Sequence, residues 1–136
     1  MNATPNPTPR HDASLPTTTS ADERTWAIVA HVSTLAAAVL SAGWLSIVGP
    51  LVIWAIHKDR SPFIRQAAAG AFNFNLMIWA ITLVGWVCFF TIIAIPVALV
   101  LWGVAFVAAV WFHVRAAMAA NRGEGYRYPW GITVLS

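Results

Sequence analysis

Residues 66–114 decide the fold of this chain, and they read QAAAGAFNFNLMIWAITLVGWVCFFTIIAIPVALVLWGVAFVAAVWFHV. This stretch contains no Asp, Glu, Lys or Arg, and neither does the stretch from residue 25 to residue 57. Both are too long to be buried elements of a soluble protein of 136 residues. A bilayer explains them, because an ionised side chain at its centre costs about 3 kcal/mol. The sequence therefore predicts an all-α, polytopic membrane protein.

The composition supports this class and argues against others. Hydrophobic residues make up 59% of the chain and charged residues 10%, both far from the averages of soluble proteins. The net charge is +3, but the basic residues form no stripe with interleaved aromatic residues, so no nucleic-acid partner is expected. The single cysteine, Cys88, excludes an internal disulfide.

The breaks in the apolar stretches predict four transmembrane helices, at about residues 22–42, 44–57, 62–91 and 96–121. The second has only about fourteen residues, below the usual minimum of about seventeen, so we expect it to be short or re-entrant. Residues 1–21 are rich in Pro and Thr, which predicts a disordered tail before a transmembrane domain over residues 22–136. A short C-terminal tail follows the fourth helix.

Two local patterns indicate where helices begin. Ser20 and Glu23 have the spacing of a capping box, in which each side chain accepts a hydrogen bond from the other residue's backbone. Ser61-Pro62 combines a preferred N-cap residue with a proline at the first helical position.

The charges predict the orientation. With four passes, every Lys and Arg falls on one side, and the other side receives only two short uncharged turns. Because basic residues are enriched on the cytoplasmic side, both termini are expected there, in a bacterial inner membrane.

Four polar side chains lie inside the apolar stretches, namely His31, Asn73, Asn75 and His113. His31 and His113 lie on stripes of small residues, which membrane helices use for close packing. Hydrogen bonding between helices is the favoured interpretation, with His31 and Asn73 as partners. The alternatives are the lining of a substrate or proton path, or a metal or haem site that uses both histidines.

The sequence offers little for catalysis. The five acidic residues all lie in the water-facing segments, so the membrane region holds no carboxylate pair for acid–base chemistry. No phosphate-binding loop, metal-ligand cluster or nucleophile motif is present. We therefore expect no enzymatic activity, no metal and no cofactor.

Three blocks of motifs resemble a known family. They are Ala30-His31-Val32-Ser33, the run from Gly49-Pro50 through Asp59 and Ser61-Pro62 to Asn73, and Asn121-Arg122-Gly123-Glu124 followed by Tyr126-Arg127-Tyr128-Pro129. In this order they resemble the bacterial Tic-twenty-like family of small four-helix membrane proteins, which is distantly related to a chloroplast import component. The resemblance implies a four-helix membrane protein and no assigned activity.

Two functional classes remain open. One is a scaffold or accessory subunit that binds another membrane protein. The other is a small channel or transporter that acts as a homo-oligomer, because four helices leave little room for a pore inside one chain. A polar stripe buried within the bundle favours the scaffold, and one that faces lipid favours the oligomer. The lipid bilayer is the expected partner in either case.

Overall fold

The computed structural model describes residues 18–136, so the predicted disorder of residues 1–21 falls almost entirely outside the described residues. The described chain is all-α, as expected. Its four helices are α1 (Ala21–Leu40), α2 (Val48–His57), α3 (Pro62–Phe90) and α4 (Ile95–Asn121).

The first helix begins and ends for local reasons. Glu23 N–H donates to the Ser20 hydroxyl and Ser20 N–H donates to the Glu23 carboxylate, so the predicted capping box is present. After Leu40 the chain turns through Ala42 and Gly43, both at positive φ (51° and 94°). This left-handed conformation is costly for Ala and easy for Gly, and it ends the helix.

The second helix is shorter than the predicted range of 44–57, because residues 41–47 form turns. Its ten residues span about 15 Å, half of a bilayer's hydrocarbon core. Gly49, in its first turn, lies against α1 so closely that an added Cβ would come within 2.5 Å of Ser33 Oγ. The next residue, Pro50, is buried.

The third and fourth helices form a long antiparallel pair. Ser61 caps α3 by accepting from Ile64 N–H, and Pro62 follows at the first helical position, as predicted. These two helices are long and apolar enough to cross a membrane. Only 22% and 11% of their most apolar windows are buried, so most of that apolar surface faces outwards. Such a surface suits lipid and is rare on soluble monomers.

Contacts between helix ends bring the charged segments together. The Ser61 hydroxyl donates to Glu23 at 2.6 Å, so the starts of α1 and α3 meet. Thr19 donates to the Gly123 carbonyl at 3.2 Å, so the end of α4 lies beside the start of α1. The end of the bundle that carries these contacts is called the charged end below.

The core between α1, α3 and α4 consists mostly of alanine. Buried alanines from all three helices include Ala27, Ala30, Ala68, Ala71, Ala105 and Ala116. Small side chains let the helix backbones approach closely, which is how membrane helices gain packing energy. His31, Phe74 and His113 are the large side chains placed within this core, each at most 2% exposed.

Candidate functional site

The C-terminal tail, residues 122–136, returns to the bundle and lies along α3. Gly123 (φ 76°) ends α4, with Glu124 N–H bonded to the Ala119 carbonyl and Gly123 N–H to that of Ala120. This is the pattern of a Schellman motif, in which a glycine takes the left-handed position. The motif reverses the chain towards α3.

One face of α3 receives the tail. Gln66, Gly70 and Asn73 share this face because of their spacing along the helix, and each lies beside a tail residue. An added Cβ on Gly125 would come within 3.2 Å of Gln66 Oε1, and one on Gly70 within 3.5 Å of the Tyr128 ring. This face of α3 therefore packs against the tail.

Asn73 holds the tail's backbone. Its Oδ1 accepts from Val134 N–H and Leu135 N–H, both at 2.9 Å, and its Nδ2 donates to the Leu135 carbonyl at 2.7 Å. Its own carbonyl accepts from Ile132 N–H at 3.3 Å. One asparagine thus fixes the last residues of the chain, and the predicted pairing of Asn73 with His31 is wrong.

Tyr128 links the two buried histidines. Its hydroxyl lies 3.0 Å from Nδ1 of His31 and 2.9 Å from Nδ1 of His113, and its ring stacks on Phe74 at a centroid distance of 4.5 Å. A hydroxyl has one proton, so it donates to one imidazole and accepts from the other. Burial raises the pKa of Tyr128, so the phenol keeps this proton at neutral pH.

The other ring nitrogen of His113, Nε2, lacks the kind of partner that Nδ1 has. His113 is fully buried, and its Nε2 has no hydrogen-bond partner. Among residues 18–136 it is the one buried side-chain nitrogen or oxygen in this condition. Buried polar atoms are normally paired, so the unpaired Nε2 of His113 is an exception that requires an explanation.

Asn75 has its own partner. It is buried, and its Nδ2 donates to the Ser46 hydroxyl at 2.6 Å, in the turn between α1 and α2. Ser46 in turn donates to the Gly43 carbonyl. Asn73 and Asn75 therefore face different partners, as their spacing on the helix requires.

The remaining motif residues lie at the charged end. Asp59 is exposed in the turn before Ser61, and Arg122 forms an exposed ion pair with Glu124 at 2.8 Å. Pro129 is exposed in the tail. Within the described part of the chain, no three His, Cys, Asp or Glu side chains are grouped as metal ligands.

Sequence reasoning missed Tyr128 as the partner of the histidines, because it treated Tyr126-Arg127-Tyr128-Pro129 only as a family motif. A signal was available. Tyr126, Tyr128, Trp130, Ile132 and Val134 alternate with smaller or polar residues, which is the period of an extended segment with one apolar face.

Three cavities adjoin these residues. A groove of about 710 Å³ lies between α3 and the tail at the charged end, and Arg65 and Arg127 are among its lining residues. Two more, each of about 560 Å³, lie where α1 meets α4, and residues of α3 also line the one farther from the charged end. His113 lines the one nearer the charged end.

A family model for the magnetosome magnetite crystal formation proteins, MamF/MmsF, matches residues 22–135, nearly the whole described chain. The chain belongs to this magnetosome family. Its membership corrects the expected resemblance to the Tic-twenty-like family, which is wrong. No curated protein and no solved structure matches the chain. The magnetosome family's description names a process, crystal formation, and no reaction.

Proposed function

We propose that this chain is a non-enzymatic scaffold of the magnetosome membrane, which supports magnetite crystal formation by binding another membrane protein. The magnetosome family supplies the process. The scaffold role rests on the hydrogen-bond partners of the polar side chains in the bundle.

The main support is that the intramembrane polar groups bond within the chain. His31 and His113 bond to Tyr128, and Asn75 bonds to Ser46. A channel or transporter needs polar groups that can meet the solute along a path, whereas a scaffold needs a rigid bundle. These bonds favour the scaffold over the homo-oligomeric channel.

The arrangement of helix ends supports a four-pass topology with both termini in the cytoplasm. The ties from Glu23 to Ser61 and from Thr19 to Gly123 gather the charged segments at one end. At the opposite end the α3–α4 turn is uncharged, and Ile93 is 94% exposed. In this proposal α1, α3 and α4 cross the membrane as helices, and the fourth pass consists of the turns of residues 41–47 followed by α2, which covers about half of the membrane.

The partner is expected at the charged end, where the groove between α3 and the tail opens. Arg65 and Arg127 line this groove and are exposed. Among residues 18–136, the one ion pair joins Arg122 and Glu124, so both arginines of the groove are free to meet carboxylates of a partner.

Photo-crosslinking in the native host tests this proposal. A photoreactive residue is placed at position 65 or 127 in the groove, and at position 97 as a control in the exposed, opposite half of α4. The groove positions should give an adduct with a second protein, and position 97 should not. Adducts with copies of this chain alone, from all three positions, would contradict the scaffold and favour the oligomeric channel.

A further inference from the structure

We propose that the seam between α1 and α4 binds one phospholipid with an anionic head group. The seam is the pair of grooves described above. The first is lined by Ile28, Val32, Val114, Ala117 and Met118, and the second by Ala38, Ala42, Ala105 and Ala109. Leu35 lines both grooves, so they follow one another along the same helix pair.

The walls of the seam suit an acyl chain. Its side chains are almost all aliphatic or aromatic. Two of the polar side chains at the second groove already have partners, since Asn75 donates to Ser46 and Trp102 Nε1 donates to the Thr82 carbonyl at 3.2 Å. A ligand in this part of the seam therefore gains mainly packing contacts, as a hydrocarbon chain does.

The mouth of the seam suits a phosphate. Asn121 and Arg122 line the first groove where it reaches the charged end. Arg24, at the start of α1, lies beside Gly123, since an added Cβ there would be 3.7 Å from Arg24 Cδ. Glu124 pairs with Arg122, and Arg24 takes part in no ion pair among residues 18–136, so its guanidinium is free to meet a phosphate. Two arginines and an amide are well suited to a phosphate oxygen.

His113 supplies a polar contact between the apolar walls of the seam and its charged mouth. The Nδ1 edge of its ring faces Tyr128. His113 lines the seam, and Tyr128 does not. The unpartnered Nε2 is thus on the ring edge turned away from Tyr128. With Nδ1 accepting from Tyr128, Nε2 carries a proton that can be donated to an ester oxygen of the lipid.

The spacing fits a phospholipid. His113 lies nine residues before Arg122, about 13 Å along the helix. The arginine side chain covers part of this distance, and the phosphate and glycerol backbone of the lipid cover the remainder. The head group then meets Arg122, the ester meets His113, and the acyl chain meets the apolar walls.

Native mass spectrometry of the full chain in mild detergent tests the site, with phosphatidylglycerol and phosphatidylcholine as probes. The wild type should retain phosphatidylglycerol in preference to phosphatidylcholine. Ala117→Trp fills the first groove and Arg122→Gln removes one of the two arginines at its mouth, so both should lose most of the bound lipid. Arg115→Gln is the matched control, because Arg115 packs on Trp111 and does not line the seam.

A second readout follows His113 directly. In histidine labelled with nitrogen-15, the Nε2 resonance of His113 should shift when phosphatidylglycerol binds, in the wild type and in Arg115→Gln. Equal retention of both lipids, full retention in Arg122→Gln, or an equal loss in Arg115→Gln would overturn the proposal. Detection of a second copy of the chain in place of bound lipid would also overturn the proposal. If Ala117→Trp does not fold, Arg122→Gln decides the outcome.

Discussion

The hydroxyl of Ser61 donates a hydrogen bond of 2.6 Å to the carboxylate of Glu23. The same two residues cap helices, since Glu23 closes the capping box of α1 and Ser61 accepts from the first turn of α3. A single contact therefore joins two helix starts that are 38 residues apart in sequence.

This contact predicts a pH dependence. The hydrogen bond from Ser61, followed by that from the Ser20 backbone, lowers the pKa of Glu23 below its ordinary value of 4.5. The stabilisation is therefore complete above pH 4.5 and is lost as the pH falls below it. Glu23→Gln should be less stable than the wild type at pH 7, and the difference should shrink below pH 4.5. Thermal unfolding in detergent measures both. A difference that stays constant between pH 7 and pH 3 would contradict the shift.

Tyr128→Phe should destabilise the bundle. It keeps the stacking on Phe74 but leaves Nδ1 of both histidines without the hydroxyl. An unsatisfied buried group costs about 1–3 kcal/mol, so a clear drop in thermal stability is expected. Tyr126→Phe is the matched control, since no hydrogen bond of the Tyr126 hydroxyl is seen in the described residues. Combining Tyr128→Phe with His31→Ala should cost less than the sum of the two single changes. Full additivity would show that the bond is not formed.

Asn73→Ala should release the tail. It removes three hydrogen bonds to Val134 and Leu135, so trypsin should cut after Arg127 faster than in the wild type. Asn75→Ala is the control, because it breaks a buried bond to Ser46 and leaves the tail's contacts intact. Equal cleavage rates in Asn73→Ala and the wild type would mean that Asn73 does not hold the tail.

Gly49→Ala should destabilise the contact between α1 and α2, because the new Cβ would come within 2.5 Å of Ser33 Oγ. Adding Ser33→Gly should restore much of the loss by removing both clashing atoms. Gly103→Ala is the opposite case. Nothing lies within 4 Å of that position, so the change should be neutral or stabilise α4 by up to about 1 kcal/mol. Thermal unfolding compares the three variants, and equal effects at Gly49 and Gly103 would disprove the close approach.

Labelling of introduced cysteines tests the topology, in a background where Cys88 is replaced. Positions 59 and 127 lie at the charged end and position 92 in the turn between α3 and α4. An impermeant reagent added to isolated, sealed magnetosome vesicles, whose outer surface is the cytoplasmic one, should label 59 and 127. Position 92 serves as the accessibility control, and it should react only after the membrane is permeabilised. Labelling of position 92 but not of 59 or 127 in sealed vesicles would reverse the proposed orientation.

Much of the fold follows from local sequence. The capping box at Ser20 and the Ser61-Pro62 start are set by neighbouring residues, and the structure contains both. The start of α2 is not local, because it depends on the turn in which Ser46 meets Asn75 of another helix. The hydrogen bonds between Tyr128 and the histidines could not be predicted for a related reason. Tyr128 lies 97 residues from His31, and no residue near His31 in the sequence indicates a partner so far along the chain.

The family error has a physical explanation too. The motifs that suggested the Tic-twenty-like family perform tasks that many helical membrane proteins share. Gly49 permits close packing, and Ser61 with Pro62 starts a helix. Residues that serve such tasks report on architecture more than on ancestry, so by themselves they do not identify a family.

The position of Tyr128 also bears on biosynthesis. The chain is made from its N-terminus, and Tyr128 follows the last of the four helices, 97 residues after His31. The hydroxyl that joins His31 to His113 is therefore synthesised only after all four helices. Until the tail docks, both imidazoles lack this bridge, so the docking of the tail onto the bundle is a late step of maturation.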